Sequence, residues 1–162
     1  MSGYLTASIS SSRPFIKRAH SPPVDERGSS QKRSIDQSSV LIVEDDFLVA
    51  TQMEIALSEA GFEVVGTASS GEEALQLAKE HRPTLVVMDI RLAGEMDGID
   101  TAVELFRLHR IRCLFASAHS DEDAQRRAQA VAPLGWLQKP YMMESLATLV
   151  RTALIELRGQ PS

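Results

Sequence analysis

Three short stretches of this chain are almost wholly apolar: "VLIV" at residues 40–43, "TLVVMDI" at 84–90 and "RCLFASA" at 112–118. A strand with one wet face alternates apolar and polar side chains. A continuous apolar run needs both of its faces covered. The segments between these runs carry helical signals. Phe47 to Ala60 is expected to be a helix, stopped by Gly61. "FEVVGTA" (62–68) supplies another strand. Ser70 and Glu73 have capping-box spacing and open a helix to about His81, with Ala74, Leu77 and Ala78 on its apolar face. Pro83 prevents its continuation. A further helix is expected from about Gly98 to His109, and one from Ser120 and Asp123 to about Ala130. "GWLQ" (135–138) reads as a short fifth strand. The last helix runs from about Met142 to Arg158, with a stripe of Leu146, Leu149, Val150, Ala153, Leu154 and Leu157.

Five strands alternating with five helices predict an α/β fold: a doubly wound parallel sheet with helices on both faces. Roughly 120 residues of this pattern suit the flavodoxin-like strand order 2-1-3-4-5. "TLVVMDI", apolar nearly throughout, is expected at the centre. The folded part is expected over 39–159, with a tail at 160–162. Residues 1–38 are rich in Ser, with Pro14, Pro22, Pro23 and Gly28, and have too few apolar residues to build a core. They are expected to stay disordered, with a partner-binding basic arm as the functional alternative.

Charge separates these two parts. Residues 1–39 hold six basic and three acidic residues, net +3, while 40–162 hold eleven and nineteen, net -8. An acidic body argues against a general binder of nucleic-acid backbone. A single cysteine, Cys113, excludes an intramolecular disulfide framework and a cysteine metal cluster. It lies in an apolar strand and is expected in the core. No apolar stretch approaches 18 residues, and the N-terminus lacks a secretory apolar segment. A cytoplasmic protein without membrane contact is therefore expected.

In open sheets of this kind, ligands bind beyond the carboxyl ends of the strands. The first strand ends in Glu44, Asp45 and Asp46, the third in Asp89, the fourth in Ser117 and the fifth in Lys139. In the 2-1-3-4-5 order these four strands are neighbours, so one crevice would gather these residues. Two carboxylates 4 Å apart repel by about 4 kcal/mol at an effective dielectric of 20. A divalent cation removes that cost. Mg²⁺ suits one or two carboxylates plus phosphate oxygens and water. Asp89 would then be a carboxylate nucleophile able to form an aspartyl-phosphate. Mg²⁺ and Lys139 would neutralise the transferring phosphoryl group, and Ser117 could hydrogen-bond one of its oxygens. Singly, each residue also has an ordinary role: Asp46 can simply cap the first helix. Their joint placement at four strand ends is what is specific.

"LIVEDD", "VVMDI", "MDG" (96–98), "FASA" (115–118) and "LQKP" (137–140) together resemble the receiver domain of two-component response regulators. The resemblance spans Val40 to about Arg158. It implies a single-domain response regulator with Asp89 as phosphoacceptor, charged by a histidine kinase or histidine phosphotransfer protein. It implies Mg²⁺ held directly by Asp45 and Asp89, by Glu44 through water, and by the backbone carbonyl of Arg91. Asp46 falls at a variable position. Ser117 matches the family's switch hydroxyl, Trp136 its switch aromatic, and Lys139 its lysine, with a cis Lys139-Pro140 peptide. The output would be phosphorylation-dependent binding of a downstream protein, or a phosphate relay or sink. A homodimer through the fourth helix, fifth strand and fifth helix is a further family-based expectation. Ala93 stands where the family often has proline, and the loop before Gly98 is one residue longer than common. Trp136 is bulkier than the usual aromatic.

Two other classes compete. A receiver-like interaction module working without phosphorylation has no need of Glu44, Asp45, Asp89, Ser117 and Lys139 together. A hydrolase with an aspartyl-phosphate intermediate usually has a second Asp two residues after the nucleophile, and Arg91 stands there. His20, His81, His109 and His119 lack metal-ligand spacing, and His119 is expected at the crevice edge. No glycine-rich phosphate loop is present. The Arg126-Arg127 pair reads as a solvated helix face, with a partner-binding role as the alternative.

Overall fold

The computed structural model describes residues 38–118 and 122–159. The strands are β1 (Ser39–Val43), β2 (Glu63–Ala68), β3 (Leu85–Asp89), β4 (Cys113–Ser117) and β5 (Gly135–Gln138). The helices are α1 (Phe47–Glu59), α2 (Gly71–His81), α3 (Gly98–His109), α4 (Glu122–Ala128) and α5 (Met143–Gly159). All strand pairings are parallel, and the order is β2-β1-β3-β4-β5. This is the expected flavodoxin-like arrangement, with β3 at the centre.

Successive side chains on a strand point to opposite faces. Val40 and Ile42 join one core with Met53 and Leu57 of α1 and with Leu146, Val150 and Leu154 of α5. Leu41 and Val43 join the other, with Ala74 of α2, Ile99 and Leu105 of α3, and Ala128 of α4. All four β1 residues from Val40 to Val43 are 0% exposed. Burial on both sides is why the run carries no polar residue.

The helix starts follow their caps. Asp46 Oδ1 accepts the backbone N–H groups of Leu48 (2.9 Å) and Val49 (3.2 Å), so α1 begins at Phe47. Ser70 Oγ accepts from Glu73 N at 3.3 Å, as the capping box requires. The Glu73 carboxylate returns one residue earlier than expected, to the N–H (2.7 Å) and hydroxyl (3.0 Å) of Ser69. α4 gives way to a 3-10 turn at Gln129–Val131 instead of continuing to Ala130 as α-helix. Its expected start at Ser120, the crevice-edge His119, the N-terminal extension through Gln37 and the tail from Gln160 lie outside the described residues.

Cys113 is 1% exposed, and burial pushes its thiol up to about 12. The thiolate is the nucleophile. At pH 8 only about one molecule in ten thousand carries it at that value. A thiol reagent is therefore expected to label the folded protein slowly and the urea-unfolded protein at least a hundredfold faster. Rapid labelling without denaturant would contradict this placement.

Candidate functional site

β1, β3 and β5 converge at the carboxyl edge of the sheet. Glu44 follows β1 directly and is 4% exposed; Asp89 ends β3 and is 7% exposed. Their burial follows from strand position: β1 and β3 are adjacent, and Val43 pairs with Met88. Asp45 is exposed on the rim. One carboxylate oxygen from each of Glu44, Asp45 and Asp89 lies within 4.8 Å of the others.

Lys139 follows β5 and enters this group from the other side. Its Nζ donates to Glu44 Oε2 and to Asp89 Oδ2, each at 2.7 Å. The other Glu44 oxygen, Oε1, accepts the Asp46 N–H at 3.3 Å. The other Asp89 oxygen, Oδ1, accepts the Arg91 N–H at 3.1 Å, so the loop after β3 curls back over the Asp89 carboxylate. Burial raises the Glu44 carboxyl above its ordinary value, against the pull of its Lys139 hydrogen bond. Burial alone would lower the Lys139 ammonium. Hydrogen bonds to Asp89 and Glu44 outweigh it and hold the ammonium above its ordinary value. One cation thus serves two buried carboxylates, with the Asp45 carboxylate close by.

The donor set is all oxygen, clustered and anionic, with no imidazole or thiolate among the three residues. That chemistry fits a hard divalent ion such as Mg²⁺ and not a softer one. Both oxygens of Glu44 and both of Asp89 already accept hydrogen bonds from the protein.

Ser117 closes β4 at the same edge. Asp89 pairs with Ala116, one residue before it, and the Ser117 carbonyl accepts the Lys139 N–H at 2.7 Å. The Lys139-Pro140 peptide is cis, as expected. Trp136 sits lower on β5. Its ring stacks on Phe115 of β4, centroids 4.8 Å apart and planes 22° off parallel. The two residues are register partners, so the indole is held against a fully buried neighbour.

Several features were not visible in the sequence. A pocket of about 420 Å³ beside Lys139 is lined by Val49, Gln52, Ala118, Pro140, Tyr141 and Met143. The Tyr141 hydroxyl is buried without a hydrogen-bond partner among the described residues. Burial raises its phenol above the ordinary value. A Cβ on Gly98 would fall 1.9 Å from the Asp89 carbonyl oxygen. The Arg126-Arg127 pair also divides. Arg126 pairs with Asp123 of its own helix, whereas Arg127, still partly exposed, reaches across to Asp97 at the cap of α3 and Asp100 in its first turn.

The family described as "Response regulator receiver domain" matches residues 40–151, and the chain belongs to it. The chain is 34% identical over 119 residues to the transcriptional regulatory protein PdtaR of Mycobacterium tuberculosis, covering 74% of this chain and 58% of that one. It is 34% identical over 144 residues to the sensor kinase CckA of Brucella abortus, covering 85% of this chain and 15% of that one. The chain therefore spans less than two thirds of either relative. Among solved structures, it resembles the signal receiver domain of a modulated diguanylate cyclase from Desulfovibrio desulfuricans. There the TM-score is 0.70 at 34% identity, covering 75% of this chain and 97% of that one. It also resembles a chain of the CheX-CheY-BeF3-Mg complex from Borrelia burgdorferi. In that case the TM-score is 0.67 at 25% identity, covering 72% and 89%. Among the described residues, no helix is long and apolar enough to cross a membrane.

Proposed function

We propose that this chain is a phosphoacceptor of two-component signalling in the cytoplasm, with Asp89 as the residue phosphorylated. The observation that carries this is the Lys139 ammonium 2.7 Å from both Asp89 and Glu44, with Asp45 beside them. A structural ion pair needs one carboxylate. Here two share one ammonium and a third lies beside them, which leaves negative charge for a divalent ion and a phosphoryl group to meet.

The donor is a phosphohistidine of a kinase or phosphotransfer protein. A carboxylate oxygen of Asp89 attacks phosphorus, the P–N bond breaks, and its electron pair leaves on the imidazole. The chain's own residues orient this step. Arg91 N–H fixes one Asp89 oxygen, and Lys139 holds the other. The Lys139 ammonium can follow the charge onto the phosphoryl oxygens, and Ser117 stands at the edge to donate a hydrogen bond. Asp45, Asp89 and the Arg91 carbonyl would hold Mg²⁺ directly, with Glu44 acting through water. When bound, Mg²⁺ neutralises phosphoryl charge. The similar Borrelia chain was solved in a complex with BeF3 and Mg²⁺, which supports this reading. Phe47 and Leu48, beside Asp46, are 78% and 71% exposed and offer apolar ground to a protein donor.

Phosphorylation adds charge where Ser117 and Lys139 can grip it. We propose that this shifts a pre-existing equilibrium of β4, α4 and β5, and that the altered face binds a downstream protein. The chain's chemistry is then self-phosphorylation and self-dephosphorylation in a signal, not turnover of a metabolite.

The test is intact mass after incubation with Mg²⁺ and acetyl phosphate. The expected result is a gain of one phosphate in the wild type and none in Asp89→Asn. Absence of any gain, with several small donors and with a cognate kinase, would favour the phosphorylation-independent interaction module.

A further inference from the structure

α4 is weakly anchored by packing. It has seven residues and buries two small side chains, Ala124 and Ala128. α5, by contrast, buries Leu146, Val150, Ala153 and Leu154. Burial energy follows apolar area, and alanines supply little. Arg127 adds a different kind of hold. Its Nη1 donates to Asp97 Oδ2 at 2.9 Å and its Nη2 to Asp100 Oδ1 at 2.8 Å. The two carboxylates lie 30 and 27 residues away, in the first turn of α3 and its cap.

That turn is also gripped from inside. Asp97 spends its other oxygen, Oδ1, on the N–H groups of Ile99 (2.9 Å) and Asp100 (2.8 Å). Gly98 N–H donates to Ile90 O at 2.8 Å. The Gly98 Cα faces the Asp89 carbonyl so closely that a Cβ would lie 1.9 Å from the oxygen. The first turn of α3 is thus seated on the Asp89 backbone and clamped on its outer side by a planar guanidinium fork.

We propose that Arg127 is a positioning residue that ties α4 to the backbone seat of Asp89 through the first turn of α3. The functional half of this rests on the phosphoacceptor reading above. Coupling between two sites is reciprocal. A partner that holds α4 would therefore shift the phosphorylation equilibrium of Asp89 by the same factor by which phosphorylation alters its affinity, and the rate of uptake would change with it by a factor of its own. Arg127 supplies a route for this along the β3–α3 side, separate from Ser117 and Trp136.

The clamp is partly exposed, and such pairs add little to global stability. Its effect is local and needs local readouts. Amide hydrogen exchange in full-length Arg127→Met is expected to quicken at least tenfold both within α4 and at the Gly98 N–H. Core amides of β1 and β3 should remain at wild-type rates. Arg127→Lys, which can hold one carboxylate at a time, should fall between. Phosphoryl uptake from acetyl phosphate should change at least threefold in Arg127→Met. The double variant Arg127→Met/Asp100→Asn should be no worse than the more affected single, because both remove one interaction. Faster exchange in α4 with Gly98 unchanged would overturn the proposal, as would no change at either place or additive effects on uptake. If the wild type itself takes up no phosphate, the phosphoacceptor reading fails, and the Gly98 exchange rate still decides the clamp.

Discussion

Lys139→Met is expected to slow phosphoryl uptake from acetyl phosphate by about a hundredfold and to tighten Mg²⁺ binding by about tenfold. The two effects have opposite signs because the ammonium has two jobs. In the metal-free protein it is the cation that Glu44 and Asp89 share, at 2.7 Å from each. A divalent ion entering the same carboxylates must work against that positive charge. Removing it leaves a more negative site, which attracts metal more strongly. The same removal withdraws a cation from the phosphoryl group as it transfers, so the reaction slows. Methionine keeps the length and loses the charge.

The variant should also be less stable without metal, since breaking a buried pair leaves uncompensated carboxylates. Added Mg²⁺ should restore stability more in the variant than in the wild type, because a ligand stabilises the state that binds it. The pH dependence has a definite sign. Glu44 is already raised by burial, and Lys139 is the main influence lowering it. Without Lys139 it rises further. A carboxyl raised in the folded state contributes stability at pH below its unfolded value and loses it as pH climbs through its folded value. Metal-free Lys139→Met should therefore gain on the wild type as pH falls toward the carboxylate range. Isothermal titration with Mg²⁺ and urea unfolding at several pH values measure both. Weaker Mg²⁺ binding in the variant would show that Lys139 organises the carboxylates instead of competing with the metal.

The strand ends explain why so much of this site was legible in advance. β1 and β3 are buried on both faces, so their apolar runs stop sharply where the chain leaves the sheet. Glu44 and Asp89 stand at those stops. In the 2-1-3-4-5 order that the alternating pattern suits, these ends are neighbours and converge. The division of the acidic triplet was legible too: Asp46 caps α1, while Glu44 and Asp45 face the crevice. What stayed hidden depends on distances between segments remote in sequence. Nothing local in "EDAQRRA" distinguishes Arg126 from Arg127, yet one pairs within its helix and the other crosses to α3. The capping box named the right two residues but missed Ser69, because a side chain chooses among donors by geometry that spacing does not encode. The unpartnered hydroxyl of Tyr141 had no signal at all.

Gly98 shows the same limit at its sharpest, and Gly98→Ala is expected to destabilise the fold by about 3 kcal/mol while impairing uptake at Asp89 beyond that loss. Its φ is not in the left-handed region, so alanine could adopt its backbone. The obstacle is space. A Cβ would lie 1.9 Å from Asp89 O, 2.8 Å from Asp89 C and 2.8 Å from Ile90 Cα. All three are backbone atoms, so no rotamer change relieves the contact. Either α3 retreats, breaking the 2.8 Å bond from Gly98 N–H to Ile90 O, or the Asp89 peptide tilts. Tilting the peptide moves the Asp89 carboxylate away from Lys139 and from the Arg91 N–H. Gly66→Ala is the matched control. Its Cβ would meet Leu77 Cδ1 at 3.4 Å, an ordinary contact with a flexible side chain. With native stability of order 5–15 kcal/mol, the Gly98 variant should remain folded in the cold. There its phosphoryl uptake can be compared with the wild type at equal folded fraction, set by urea unfolding. Uptake at the wild-type rate in folded Gly98→Ala would mean that the helix gives way and the acceptor does not. A midpoint unchanged from the wild type would mean that the close approach at Asp89 is not a constraint on the fold.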